Sequence, residues 1–302
     1  MFDITNPIFT DADKARQHLE AVQWPNGPVC PHCGETENVH RLAGKSTRAG
    51  LIQCNACLKN FTVTVGTLFE RSKIALNKWL LATYLLSSSK KGMSAHQLHR
   101  MLGVTYKTAW FMCHRIREAM GVSADAGPMG GEGEQVQSDE TYLGNTSKRA
   151  KGYQKGHGKR MKVHALVEPK TGEARAFRVA NLDYIRVRKG LVGHVDRKST
   201  LVTDEARIYH HVGKEFAAHE RVAHKKGNYV NERGFTTNHV ENFFGVFKRV
   251  MKAHIHIGDQ HLQRYLSETA FRYTNRKIND FERALEALKG IEGKRLTYRP
   301  AN

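Results

Sequence analysis

Residues 136–144 read VQSDETYLG. Val136, Thr141, Tyr142 and Leu143 are β-favouring residues and a glycine closes the run, so the stretch predicts a β-strand. Asp139 sits in its middle, where strands disfavour Asp and burial of a charge is costly. A second run, STLVTDEA (199–206), predicts another strand with Asp204 near its end. If these strands are neighbours, their two carboxylates converge and repel one another unless a cation lies between them. Alternation turns Glu140 and Glu205 to the opposite face, so only one acid of each pair serves.

A third acid lies in TNHVENFFGVFKR (237–249). Val240, Phe243, Phe244, Phe247 and Met251 fall at helical spacing and predict a buried stripe. Glu241 sits at the edge of that stripe, and Lys248 follows seven residues later on the same side. Three carboxylates on two strands and a helix suit two Mg²⁺ or Mn²⁺ ions, which favour oxygen ligands. Such ions lie about 4 Å apart and act on both the attacking and the leaving oxygen at a phosphorus. Lys248 is then a point charge for a substrate phosphate. The plainer alternative makes Asp139 and Asp204 caps and pairs Glu241 with Lys248. Asn238 and Asn242 flank the third acid as lesser candidates.

Further strands are expected at MKVHALVEP (161–169) and ARAFRVAN (174–181), separated by the turn KTGE. DYIRVRKGLVGHV predicts a helix, RVAHKKGNYVNE a short fifth strand, and 239–288 two or three helical segments. Strands, one crossover helix, another strand and then helices make a mixed α/β layered domain over 136–302. The preceding SADAGPMGGEGEQ (123–135) has no periodicity and predicts a linker. Residues 144–162 are dense in Lys and Arg and suit DNA backbone contact. The helix in 258–277 carries Arg272 and Arg276 and is expected on the active-site side. HIHIG and IYHH lack a metal-ligand spacing.

Four of the five cysteines lie within 28 residues, as CPHC, twenty intervening residues, and CNAC. Cys30, Cys33, Cys54 and Cys57 can close a tetrahedral zinc site with no open position, which is a structural role. His32 and His40 lie nearby, but four thiolates complete the site. This ribbon region takes residues 1–70. Residues 71–122 predict helices, and MSAHQLHRMLGVTYKTAWFMCHRIREAM (93–120) has the grammar of helix-turn-helix. Ser94 caps a first helix, Gly103 supports the turn, and Thr105 caps a second helix with Ala109, Trp110, Met112, Cys113 and Ile116 inward. Tyr106, Lys107, Thr108, Arg115 and Arg117 are expected outward, with Lys107 and Arg115 on DNA.

The chain has 302 residues, 40% of them hydrophobic, enough for more than one core. There are 48 Lys+Arg against 29 Asp+Glu, a formal charge of +19, which favours a polyanionic partner. No apolar run reaches 18 residues, so no transmembrane helix is expected. The first residues, MFDITNPIFTDADKARQHLE, do not read as a secretory signal. A cytoplasmic, nucleoid-associated location follows, where cysteines are not disulfide staples.

With CPHC…CNAC, FTVTVGTLFERSKIALNKWLLA, VQSDETYLG, LVTDEA and TTNHVENFFGVFKR in this order, the chain resembles the DDE transposases of bacterial insertion sequences. The group it resembles carries an N-terminal zinc ribbon and a ribonuclease H-like catalytic domain. The resemblance implies Zn²⁺ in the ribbon and Mg²⁺ or Mn²⁺ on Asp139, Asp204 and Glu241. Lys248 matches the lysine seven residues beyond the third acid, and it and Arg249 are expected on DNA. The implied chemistry frees 3′-hydroxyls at the element's ends and uses them to attack target DNA, on double-stranded substrates held by a homo-oligomer. A DNA-binding regulator with an inactive α/β half, or a nuclease of the same fold that cuts without joining, are the alternatives.

Overall fold

The computed structural model describes residues 4–123, 125–144, 161–223, 230–254, 257–294 and 296. They form two compact units, Met1–Gly121 with Ile278–Asn302, and Val122–Lys277. The basic stretch 144–162 lies almost wholly outside the described residues.

In the first unit, helix α1 (Ala12–Gln23) precedes a small antiparallel sheet of β1 (Val39–Arg41), β2 (Ile52–Cys54) and β3 (Asn60–Phe61). Helices α2 (Leu76–Ser88), α3 (Ala95–Leu102) and α4 (Tyr106–Ala119) follow. The helix-turn-helix grammar holds at each cap. Ser94 Oγ accepts the Gln97 N–H, Thr105 Oγ1 accepts the Thr108 N–H, and Gly103 takes the left-handed conformation (φ 61°) that ends α3. Cys113 is buried in α4, as its apolar neighbours predict.

The second unit is a five-stranded sheet. Its strands are β4 (Gln135–Leu143), β5 (Met161–Val167), β6 (Ala174–Val179), β7 (Thr200–Asp204) and β8 (Ala218–Val222), in the order β6-β5-β4-β7-β8. β4, β5 and β6 form an antiparallel meander, while β4, β7 and β8 run parallel. Helix α5 (Tyr184–His194) lies on one face, and α6 (Asn238–Ala253) and α7 (Leu262–Thr274) on the other. Each face has its own core. Val136, Leu166, Leu191, Leu201 and Tyr209 pack on the α5 side. Val163, Ala165, Phe243, Phe247 and Leu266 pack on the α6 side. This is the mixed α/β layered arrangement that the strand pattern predicts.

Three expectations change. The fifth strand lies at AHERV (218–222) and meets the expected stretch only at its start. The segment read as a linker is partly built into the sheet unit: Met129 is buried, its N–H donates to His194 O, and its carbonyl accepts the Asp196 N–H. Helix α8 (Asp280–Lys289) packs with the first unit, not with the α/β domain expected to run to 302. Its apolar face buries Ala284, Ala287 and Leu288, and Arg283 donates to Ser87 O at the end of α2. An Asn279–Glu282 capping box starts it.

His164 is the polar residue at the centre of the sheet. It is fully buried, with Nε2 2.8 Å from Ser138 Oγ. Gly190 lets α5 pass close by, since a Cβ there would lie 2.9 Å from His164 Nδ1. Burial holds the imidazole down to about 4, helped by the charge of His194. The folded value is depressed, so between pH 4 and 6.5 the unfolded chain binds more protons and stability falls as pH falls. Its contribution across that window is about 3 kcal/mol. Denaturant unfolding of wild type and His164→Gln at pH 7 and pH 4.5 should therefore show a smaller loss in the variant; equal losses would refute a neutral His164.

Candidate active site

The α6-facing side of the sheet carries the acids. Val136 pairs with Leu201 on the α5 side, and Gln137 pairs with Val202 on the other. Carried two residues further, the same parallel register sets Asp139 beside Asp204 on one face. Both are half-buried. Asp139 Oδ1 accepts the Glu140 N–H at 2.7 Å, and Asp204 Oδ1 accepts the Ala206 N–H at 2.9 Å as the chain leaves β7.

Helix α6 reaches this pair through an unusual start. Its N-cap, Thr237, makes no side-chain cap bond to the backbone. Instead the fully buried Gln137 accepts the His239 and Val240 N–H groups on Oε1, at 3.0 and 3.2 Å. Thr237 Oγ1 donates to Glu241 Oε1 at 2.8 Å, and Tyr273 Oη donates to His239 O. Phe243, Phe244, Phe247 and Val250 hold the rest of the helix down, while Met251 is only half-buried. Glu241 is thus exposed, at the edge of a fixed first turn, and Lys248 and Arg249 are exposed further along.

The electrostatics tie the acids together. Burial first, then the charges of Glu140, Asp204 and Glu241, push the Asp139 carboxyl up to about 7, against the pull of the Glu140 N–H. Glu140 is also raised, by burial first and by Asp204, although the phenol of buried Tyr209 donates to its Oε2. The chain Glu140–Tyr209–Ser138–His164 runs on the α5 side and keeps Glu140 turned from Asp139's face. Oxygen ligands that repel each other at a half-buried edge suit hard divalent cations.

The cysteines form a separate centre. Among the described residues, Cys30, Cys33, Cys54 and Cys57 are the one group of three or more His, Cys, Asp or Glu ligand atoms within 4.8 Å of one another. The three carboxylates therefore stand further apart than the thiols do. Cys30 and Cys57 sulfurs lie 3.7 Å apart and Cys33 and Cys54 3.6 Å apart. A tetrahedron with zinc–sulfur bonds of about 2.3 Å has edges of about 3.8 Å, so the thiols fit zinc. The thiols compete for charge: burial opposes the Cys30 thiolate, yet the His32 and Cys33 N–H groups and neighbouring thiols hold it low.

Several expected roles fall elsewhere. Arg115 and Arg117 are buried, not outward. Arg115 donates to Glu70 O and lies against the Trp79 and Phe111 rings. Lys107 is exposed as expected. On α7, Arg272 pairs with buried Glu268; Arg276, beyond the helix end, stacks on Tyr273 and donates to Gly172 O. α7 lies on the acid-bearing face and packs on β6, two strands from β4. Gln137 and Tyr209 were missed, since a lone Gln or Tyr in an apolar run carries no sign of its distant partner.

Residues 131–274 match the family of ISXO2-like transposase domains, and residues 10–60 match the transposase zinc-ribbon domain. An uncharacterized protein of transposable element ISH50 from Halobacterium salinarum is 28% identical over 272 residues, covering 85% of this chain and 89% of that protein. A chain of the simian T-cell lymphotropic virus intasome in complex with PP2A regulatory subunit B56 gamma gives a TM-score of 0.32 at 17% identity, over 63% of this chain and 64% of that one. The pre-cleavage Mos1 transpososome gives 0.23 at 11% identity, over 64% and 75%. These likenesses in space are too loose to fix a fold or a partner.

Purified protein is expected to hold one zinc per chain by metal analysis, and Cys54→Ser to lose both the metal and the ribbon's ordered amides. Zinc-free wild type with an intact ribbon would refute this. Gln137→Leu leaves two helix N–H groups without their acceptor and should destabilise by about 1–3 kcal/mol in denaturant unfolding. A variant as stable as wild type would show that Gln137 does not anchor α6.

Proposed function

We propose that Asp139, Asp204 and Glu241 hold two divalent cations at the active site of a DDE transposase, a reading supported by the matches to the transposase zinc-ribbon and ISXO2-like transposase domain families. The enzyme cuts DNA at insertion-sequence ends and joins those ends to target DNA. One observation carries the reading: the charges of Asp204 and Glu241 both bear on Asp139, and Gln137, two residues before Asp139 on β4, anchors the helix that bears Glu241.

Mg²⁺ or Mn²⁺ held there would offset charge developing on the phosphoryl oxygens and sharpen the attacking oxygen. The rest falls to the chain's own groups. The three carboxylates would hold the cations against which a phosphodiester sits, and the sheet fixes the carboxylates. Lys248, exposed and two turns along α6 from Glu241, binds a neighbouring phosphate as a point charge. In cleavage, a water oxygen bonds to phosphorus and the 3′-oxygen leaves and is protonated. In joining, that 3′-hydroxyl oxygen bonds to a target phosphorus and displaces the target's 3′-oxygen. Phosphoester bonds are exchanged one for one, so no covalent enzyme intermediate is needed.

DNA is the partner that the +19 charge favours. Lys107 on the second helix of the helix-turn-helix contacts it, with Lys248 and Arg249. Two element ends in one reaction call for a dimer or larger assembly on DNA. None of the described helices is long and apolar enough to cross a membrane, and the enzyme works where its DNA is, in the cytoplasm at the nucleoid.

The test is a Mg²⁺-dependent cleavage-and-joining assay on DNA bearing the sequence that flanks this gene. Asp204→Asn should lower cleavage by about 1,000-fold or more while binding DNA like wild type, and Lys248→Ala should lose less. Cleavage without joining by wild type would point to a nuclease. Retained cleavage in Asp204→Asn would remove that residue from the site. Binding with no chemistry in either protein would point to a regulator.

A further inference from the structure

Beside the N-terminal half of α4 the first unit leaves an open cavity of about 340 Å³. Residues 71–74 form one wall and the Lys107, Thr108 and Phe111 side of α4 the other, with Trp79 and Arg115 between them. We propose that this cavity binds the sugar-phosphate backbone of duplex DNA. The proposal rests on the reading of the chain as a DNA-acting protein and adds a backbone contact that the helix-turn-helix pattern does not place.

Charge is the first argument. Four of the lining residues are cationic, Arg71, Lys73, Lys107 and Arg115, and none is a carboxylate. The acid nearest in sequence is Glu70, whose carboxylate lies 3.5 Å from Arg71 Nε and also accepts the Gly66 N–H. Arg71 is exposed and Glu70 half-buried, and at 3.5 Å the pair is weak and partly screened by salt. Net positive charge in a concave, partly apolar site concentrates its field on an incoming anion.

The cations are graded in depth. Arg115 is 6% exposed, donates to Glu70 O at 3.1 Å, and has its guanidinium carbon 5.6 and 5.5 Å from the Trp79 and Phe111 ring centres. Its position is fixed by those contacts. Arg71, Lys73 and Lys107 are exposed at the mouth. A fixed charge inside and adaptable charges outside suit a phosphate that must be found and then held in register.

Polarity favours a nucleotide backbone over a bare anion. Ile74 and Phe111 are half-buried apolar walls, which match the carbon face of deoxyribose. Ser72 Oγ accepts the Trp79 Nε1–H at 2.8 Å and the Ile74 N–H at 3.1 Å. Both bonds use its lone pairs and keep its proton for an acceptor. Arg71 adopts a left-handed backbone, φ 55°, which is strained for a non-glycine residue. Strain of this kind persists at ligand clamps, where the surroundings over-determine it.

Position completes the case. Tyr106 and Lys107 are exposed in the first turn of α4, the part of such a helix that enters the major groove. A cavity beside that turn is where a groove-flanking phosphate passes.

The test uses full-length protein and a labelled duplex carrying the gene's flanking sequence, with affinity read by anisotropy from 50 to 300 mM salt. Arg71→Gly with Lys73→Ala, where glycine suits the backbone at 71, is expected to weaken binding about 10-fold at 100 mM salt. It should also lower the salt slope by about 1 to 2 units, as loss of one or two phosphate contacts requires. Lys289→Ala, an exposed lysine on α8 paired with Glu286, is the control and should change neither. A thermal melt checks that the double variant is folded. A slope equal to wild type, or a loss no greater than in Lys289→Ala, would overturn the proposal while leaving DNA binding intact. If wild type is stabilised by inorganic phosphate through these residues but the double variant keeps full duplex affinity, the cavity is a small-anion site and the DNA backbone is the wrong occupant. If wild type binds no duplex at all, the DNA-acting reading fails first and the proposal falls with it.

Discussion

Two hydrogen bonds accepted by one buried amide oxygen, that of Gln137, join α6 to the central strand of the sheet. The arrangement of the acids depends on them. A helix start needs acceptors for its first N–H groups, and here Thr237, the residue placed to supply one, bonds to Glu241 instead. The strand supplies the acceptor in its place. Because side chains alternate along β4, Gln137 and Asp139 are on the same face by necessity. The contact that fixes the helix therefore also fixes which face the first acid presents. A slip of one residue in β4 would turn both away together, so helix position and acid position stand or fall as a unit.

The two units solve the problem of core size differently. The sheet unit has apolar layers on both faces, and its stability comes from burial there. The ribbon has only a few buried residues, Cys30, Ile52, Cys54 and Phe61, with Trp24 and Val39 packed against them. That is too little to order three short strands, and two of the four buried residues are themselves sulfur ligands. Thiols spaced at the edges of a ZnS₄ tetrahedron supply the missing constraint. The helices of the first unit draw on the end of the chain, since α8 buries Ala287 and Leu288 there and Gln23 Nε2 donates to Leu288 O.

What could be read in the sequence was what repeats locally. Strand-like runs bounded by turn residues placed β4 to β7 within a residue or two, and strand alternation put Asp139 and Glu140 on opposite faces. Period 3.6 placed α6 and its phenylalanines, and cap residues marked both helices of the helix-turn-helix. What failed depended on partners far away in the chain. Arg115 and Arg117 look outward on an isolated amphipathic helix, but α2, α8 and the stretch before residue 72 close around α4. β8 carries His219, Glu220 and Arg221 and so lacks the apolar alternation of its neighbours. Met129 stood in a glycine-rich, acidic stretch whose composition hid one buried anchor. Gln137 had no local mark, because its partners lie a hundred residues on.

Asp139 is where stability and chemistry pull apart. Burial and three neighbouring carboxylates oppose its ionisation, so the metal-free fold holds a group that would be more comfortable protonated. A sheet made only for stability would place Val or Thr there. The rest of the face absorbs the strain: Ala165, the cross-strand partner of Asp139, and Phe243 and Phe247 on α6 are buried regardless of its charge. A divalent cation reverses the sign of the local field and turns the same crowding into affinity. On the two-cation reading proposed above, an oxygen-seeking cation would relieve the repulsion, as a proton also does, and would stabilise the folded protein on binding. Fold and chemistry would then be coupled at the central strand of the sheet, through residues that sequence periodicity alone would have made apolar.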